Sequence, residues 1–262
     1  MKIIFLGDIV GRPGRRLVKA LLPELIQQYE PDLTVVNGEN AAGGFGLTLE
    51  VADELFHSGV DVITLGNHTW KHREINQVFD RYKQVLRPAN YPPETPGESA
   101  GLFVAKNGYP VGVLSLMGQV YFEPVLDCPF RVAQEKVSLL KEETPYILVD
   151  FHAEATSEKI ALGHYLDGAV SAVLGTHTHV ATADARVLPG GTGYITDVGM
   201  CGPVDSVLGV KKELAIQKFI TKRPVKFEIA KGPVELNGVY LELDEKGRTK
   251  RIDRISYLKN LK

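Results

Sequence analysis

KIIFLGDIVGRPGRRLVKALLPELIQQYE, residues 2–30, decides the fold class. An apolar run ends at Gly7-Asp8, and an amphipathic stretch then reaches about Tyr29. A short continuous apolar run is the pattern of a strand buried on both faces. Pro13 suits the first turn of the helix that follows, where a missing N–H costs nothing. The unit repeats: LTVVNGE (33–39) precedes a helix expected over Thr48 to His57, and DVITLGN (61–67) is the third strand. Strands alternating with helices imply a largely parallel sheet in an α/β protein.

After Pro88 the pattern changes. GLFVAKNGYPVGVLSLMG (101–118) predicts a hairpin turning at Asn107-Gly108. A helix near Arg131 to Glu143, the strand YILVDFH (146–152), a helix near Ser157 to Leu166 and the strand AVLGTH (172–177) come next. ARVLPGGTGYITDVG (185–199) predicts a second hairpin around Gly190-Gly191. Three more strands are expected in VKFEIA (225–230), VELNGVYLELD (234–244) and TKRIDRISYL (249–258). Two sheets packed face to face, with helices outside, would use all of these; strand order is not legible.

The chain has 262 residues, 44% hydrophobic and 24% charged, and reads as one domain over 1–262. A net charge of -2 gives no global basic field for nucleic acid. Asp8 interrupts the only apolar stretch near the start, and no run approaches the roughly 20 residues of a membrane span. Cys128 and Cys201 match no zinc spacing, so a cytoplasmic protein with reduced thiols is expected.

Five predicted strands end in groups able to hold a metal: Asp8, Glu39 with Asn40, Asn67, His152, and His177 with His179. In four of the five a glycine stands just before, where it lets backbone approach a bound group closely. Singly, Asp8 or Asn67 reads as a helix cap. Together, at the strand ends where α/β sheets collect ligands, they specify a site. His177 and His179, two apart on extended backbone, would point the same way.

Two carboxylates, two amides and three imidazoles suit iron, manganese, zinc or nickel better than calcium or magnesium. They exceed the needs of one tetrahedral ion. Two ions bridged by Glu39 would use them all, with His177 and His179 serving different ions. After Asp8, Glu39 and a bridging hydroxide, one positive charge remains to hold a phosphodiester monoanion. Attack by that hydroxide is the expected chemistry.

GDIVG, NGEN, GNH and GTHTH, in this order, resemble the calcineurin-like metallophosphoesterase superfamily. The longer motifs GDIVGRPGR, NGENAAGGFG, GNHTW, DFHAEATSEK and GTHTHVATAD resemble its YmdB-type branch across essentially the whole chain. The resemblance implies a four-layer α/β/β/α sandwich of two mixed sheets. It also implies a dinuclear centre of two divalent ions, iron or manganese, with zinc an alternative, and hydrolysis of small phosphodiesters such as 2′,3′-cyclic nucleotides. Carried across, Asp8, Glu39, Asn40 and His179 hold one ion; Glu39, Asn67, His152 and His177 hold the other. Two features depart from the superfamily pattern: Ile9-Val10 replaces the usual histidine after the first aspartate, with Asn40 its substitute, and Glu39 stands where aspartate is commoner.

His68 follows Asn67 and is the expected acid for the leaving oxygen, with Thr69 where an orienting acid is usual. AAGGFGLT (41–48) lacks a P-loop lysine and reads as a pliable wall. Arg12, Arg15 and Arg16 are either solvated or in contact with substrate phosphate. His57, His72 and His164 fall on helical stretches without a role, and residues 196–209 form a long loop that could fold over the site. The rival reading is a metal-stabilised regulatory or RNA-associated binding protein. A barrel amidohydrolase would want His-x-His on its first strand. RNA ends as substrate and homo-oligomerisation stay open.

Overall fold

Strands apolar on both faces need cover on both, and two sheets sharing one inner face supply half of it. The protein, a computed structural model describing residues 1–260, is built this way. Its first half runs β1 (Lys2–Leu6), β2 (Asp8–Ile9), α1 (Gly11–Tyr29), β3 (Leu33–Asn37), α2 (Leu49–His57), β4 (Val62–Thr64), α3 (Ile75–Arg81), β5 (Val85–Leu86). Next come β6 (Ala100–Val104), β7 (Pro110–Met117), α4 (Pro129–Lys141), β8 (Ile147–His152), α5 (Thr156–Tyr165) and β9 (Ala172–Thr176). The chain continues through β10 (Arg186–Val187), β11 (Gly193–Ile195), β12 (Met200–Pro203), α6 (Lys212–Thr221), β13 (Val234–Leu243) and β14 (Thr249–Lys259).

The eight-stranded sheet follows the order β2-β12-β13-β1-β3-β4-β5, with β14 paired to β13. The six-stranded sheet follows β10-β11-β9-β8-β7-β6. Both are mixed: β1, β3, β4 and β5 run parallel, as do β7, β8, β9 and β11, while β13, β14, β6 and β10 pair antiparallel. Phe5, Val35, Val113, Leu148, Leu174 and Val239 fill the space between the sheets. Leu17, Leu21, Leu25, Val51 and Val78 cover the outer face of the larger sheet. Ala133, Val137, Leu140 and Leu162 cover that of the smaller one. This is the expected four-layer sandwich. Each fully buried leucine contributes roughly 1.5–3 kcal/mol, enough for the patterned faces to outweigh Pro23 inside α1.

Both predicted hairpins form, β6 with β7 and β10 with β11. Two readings need correction, and one element is new. VKFEIA is no strand: only Ile229 bridges to Val210. One edge of β13 is taken by β1 and β12 and the other by β14, so the segment finds no free ladder. The 196–209 stretch is not loop throughout, because it contains β12, which pairs with β2 and β13. Helix α6 went unread because it buries little beyond Ala215 and has no apolar stripe to betray it.

Candidate metal centre

Parallel strands deliver their carboxyl ends to one rim of the sandwich, and the expected ligands gather there. Asp8 opens β2, Glu39 and Asn40 follow β3, Asn67 follows β4, His152 closes β8, and the two remaining histidines follow β9. Asn67 Oδ1, Glu39 Oε2 and His177 Nδ1 lie 3.0, 3.2 and 3.1 Å from His152 Nε2. Donor atoms of Glu39, His152 and His177 all lie within 4.8 Å of one another. On the other side, His179 Nε2 lies 3.9 Å from Asp8 Oδ1 and 3.4 Å from Asn40 Nδ2. The seven expected residues therefore gather at one rim in two groups, Glu39, Asn67, His152 and His177 in one and Asp8, Asn40 and His179 in the other.

The turn carrying the histidines is not extended, which corrects the premise of alternation. His177 and His179 have φ of 100° and 64°. Such backbone costs of order 1–3 kcal/mol per residue and persists only where surroundings over-determine it. Here Asp8 Oδ2 accepts from His177 N at 3.1 Å, and Asp197 Oδ2 accepts from Thr178 N at 3.0 Å. Buried Lys159 bonds the same Asp197 oxygen at 2.6 Å and Thr176 O at 2.7 Å. The turn brings His177 to His152 and His179 to Asp8 and Asn40.

Outer partners fix which ring nitrogen of each histidine faces the site. Thr176 Oγ1 donates to Asp150 Oδ1 at 2.7 Å and so accepts from His152 Nδ1 at 2.9 Å, leaving His152 Nε2 for the site. Glu154 holds His177 Nε2 at 3.0 Å, leaving Nδ1. Leu208 O holds His179 Nδ1 at 3.0 Å, leaving Nε2. Such outer partners are typical of metal-ligating histidine. Asp150, Thr176, Lys159, Asp197 and Glu154 are the residues that sequence reading missed. Asp150 alone left a trace, a charge inside an apolar strand.

The donor set fits cations on a physical test. Asp8 Oδ1, Glu39 Oε1 and Asn40 Oδ1 are buried and have no hydrogen-bond partner among the described residues. Leaving a buried acceptor unpaired costs about 1–3 kcal/mol, and more when it is charged. Three such oxygens in one place suit a positive ion.

The charges tell the same story. Burial raises the Asp8 carboxyl to about 6, against the pull of His179 and His152. Burial would raise Glu39 as well, but His152, by charge and contact, and then the neighbouring His68 hold it well below the usual carboxylate range. Burial disfavours a charge on His152, yet Glu39, then Asp8 and Asp150, lift it to about 9. Burial and the charge of His152 push His177 down to about 2. A proton on His152 thus neutralises the carboxylates that a cation would neutralise.

Glycine is required before Asn67 for a reason other than access to a bound group. A Cβ on Gly66 would sit 2.3 Å from His152 Cδ2 and 2.5 Å from Glu39 Oε2. On Gly175 it would meet Thr196 O at 1.8 Å. The space is reserved for the ligands themselves and for the strand behind them.

His68 lies in the cleft, its Nδ1 3.0 Å from Glu39 Oε1 but out of hydrogen-bond alignment. Its backbone N–H donates to Glu39 Oε2 at 3.0 Å. Thr69 does not orient it, because the Thr69 hydroxyl donates to Gly66 O at 2.6 Å. The 41–48 wall is less pliable than its glycines suggest. Arg15 donates to Ala41 O at 2.6 Å and pairs with Glu54, so it is not a substrate arginine here. His72 is not helical; it lies just past a 3-10 turn and bonds Phe45 O at 2.8 Å. His57 and His164 lie on α2 and α5, as expected.

The family model for YmdB-like protein matches residues 4–255. The chain is 50% identical over 256 residues to the 2′,3′-cyclic-nucleotide 2′-phosphodiesterase of Bacillus subtilis (strain 168), covering 97% of this chain and 96% of that one. A solved phosphatase from Mycoplasma pneumoniae superposes with a TM-score of 0.93 at 37% identity, covering 99% of this chain and 94% of that one. A hypothetical protein from Thermus thermophilus superposes with a TM-score of 0.92 at 43% identity, over 99% of this chain and 100% of that one.

Proposed function

The chain belongs to the YmdB-like protein family and is a hydrolase of phosphoric ester bonds, and on that premise we propose that it opens 2′,3′-cyclic nucleotides at a centre of two divalent cations. The observation that carries the metal reading is the trio of buried, unpaired oxygens on Asp8, Glu39 and Asn40 beside inward-facing imidazole nitrogens. Asp8, Glu39, Asn40 and His179 would hold one ion, and Glu39, Asn67, His152 and His177 the other. The mixed oxygen and nitrogen shell suits iron or manganese. When bound, such ions neutralise phosphoryl oxygens and acidify water.

The chain's own residues do the rest. Glu39 Oε2 lies beside His152 Nε2 while Oε1 is buried without a hydrogen-bond partner, which leaves both oxygens for cations and supports the role of bridge. Asp150, Thr176 and Glu154 keep His152 and His177 in the tautomers that present a lone pair. Water adds to phosphorus, the bond to the 2′-oxygen breaks, and the departing oxygen needs a proton. His68, with Nδ1 turned to Glu39, would supply it from Nε2. The two cysteines are unpaired, which suits a cytoplasmic site of action.

Elemental analysis with turnover of adenosine 2′,3′-cyclic phosphate tests the reading. Two ions per chain are expected in the wild type, with ions and turnover both lost in Glu39→Gln. Full turnover by metal-stripped protein refutes it. Full turnover by His68→Ala removes the acid assignment alone.

A further inference from the structure

The cleft that begins at Glu39, His68, His177 and His179 continues past the ligands to a wall of Phe45, Phe219 and Phe227 and encloses about 550 Å3. That lies within the roughly 300–1,000 Å3 of small-molecule sites. The wall has two properties that ordinary surface lacks. Phe219 is 68% exposed and Phe45 42% exposed, large aromatic faces left uncovered beside a polar centre. Lys218 Nζ lies 4.9 Å from the centre of the Phe227 ring, and Lys222 Nζ 5.9 Å from that of Phe219. Neither lysine makes an ion pair among the described residues, although the chain as a whole carries a net charge of -2.

The wall is also held in place. His72 and Arg15 anchor the loop that presents Phe45. Ile229 packs so closely on Gly44 that a Cβ there would lie 2.7 Å from it. The segment carrying Phe227 is tied to the start of α6 by Lys211 N donating to Glu228 O at 2.9 Å, and by Ala230 N donating to Gly209 O at 2.9 Å.

We propose that this wall is a subsite for the nucleobase and 5′-phosphoryl group of the substrate, which rests on the phosphodiesterase reading above. A cyclic phosphate occupies the 2′,3′ edge of ribose, so the base and the 5′ carbon project away from it, toward the far end of the same cleft. Exposed phenylalanines stack on any base, because every base has a π-face. Unpaired lysines at the rim supply point charges for a phosphate. The preferred substrate class is a 2′,3′-cyclic nucleotide carrying a 5′-phosphoryl group, either as a mononucleotide or at the 3′ end of an RNA strand.

Steady-state kinetics on metal-loaded protein with four substrates test this: ribose 2′,3′-cyclic phosphate, adenosine 2′,3′-cyclic phosphate, its 5′-phosphorylated form, and a diribonucleotide ending in the same ring. In the wild type KM falls about tenfold when the base is added, as one stacked base warrants, and falls again with the 5′-phosphoryl group. Phe219→Ala erases the first preference and Lys218→Ala/Lys222→Ala the second. A lower KM for the diribonucleotide than for the 5′-phosphorylated mononucleotide identifies an RNA end, and the reverse identifies the mononucleotide. Wild-type protein that does not distinguish the base-free substrate from the adenosine one overturns the subsite, as do variants that raise every KM alike. Turnover of none of the four overturns the phosphodiesterase reading, a distinct result.

Discussion

Replacing Gly66 by alanine adds one methyl group at the place where three strand ends converge. The new Cβ would lie 2.3 Å from His152 Cδ2 and 2.5 Å from Glu39 Oε2, whereas ordinary contact begins near 3.4 Å. His152 must therefore retreat by about 1 Å, or β4 must shift by as much. The backbone at Gly66 is not left-handed, so the cost is steric rather than conformational. Overpacking of this kind destabilises by about 1–3 kcal/mol. A displacement of 1 Å at a reacting centre costs on the order of 100-fold in rate. The assay pairs urea unfolding with turnover of adenosine 2′,3′-cyclic phosphate and with bound-metal content. Gly108→Ala is the control: its glycine has φ +85° in a hairpin turn with nothing within 4 Å. It should lose about 1 kcal/mol of stability and keep its turnover. A Gly66→Ala protein with wild-type rate and metal content would refute the packing account of the site.

Lys159→Met leaves Asp197 charged and unpaired in the interior, which should cost about 3–5 kcal/mol in urea unfolding and loosen the turn of His177 and His179. Metal binding to stripped protein at pH 7.5 should release at least one proton, because His152 holds one up to about pH 9 and must give it up to a cation. Calorimetry in buffers of different ionisation enthalpy counts it, and zero release would contradict the proposed ligand. Burial lifts the Cys201 thiol to about 12 from an ordinary value of 9, so the folded state keeps a proton that the unfolded state loses between these values. Stability should therefore fall as pH rises through that window. At pH 8 only Cys128 should react with a thiol reagent until the protein is unfolded.

The sequence by itself determined the layered α/β class, both hairpins, and which residues stand at the strand ends. These are local properties: apolar runs, turn residues, and the period of each element write them directly into the chain. It also placed Asp8, Glu39, Asn40, Asn67, His152, His177 and His179 as a set, because strand ends in such sheets share one rim. Only the tertiary structure decided which nitrogen of each histidine faces inward. Asp150 acts on Thr176, Glu154 on His177 and Leu208 on His179, and each pair is more than twenty positions apart in the chain. It alone showed that VKFEIA has no free strand edge to join, and that Gly66 makes room for His152 rather than for a bound group. Such facts depend on contacts between segments distant along the chain, and no pattern within a single segment encodes them.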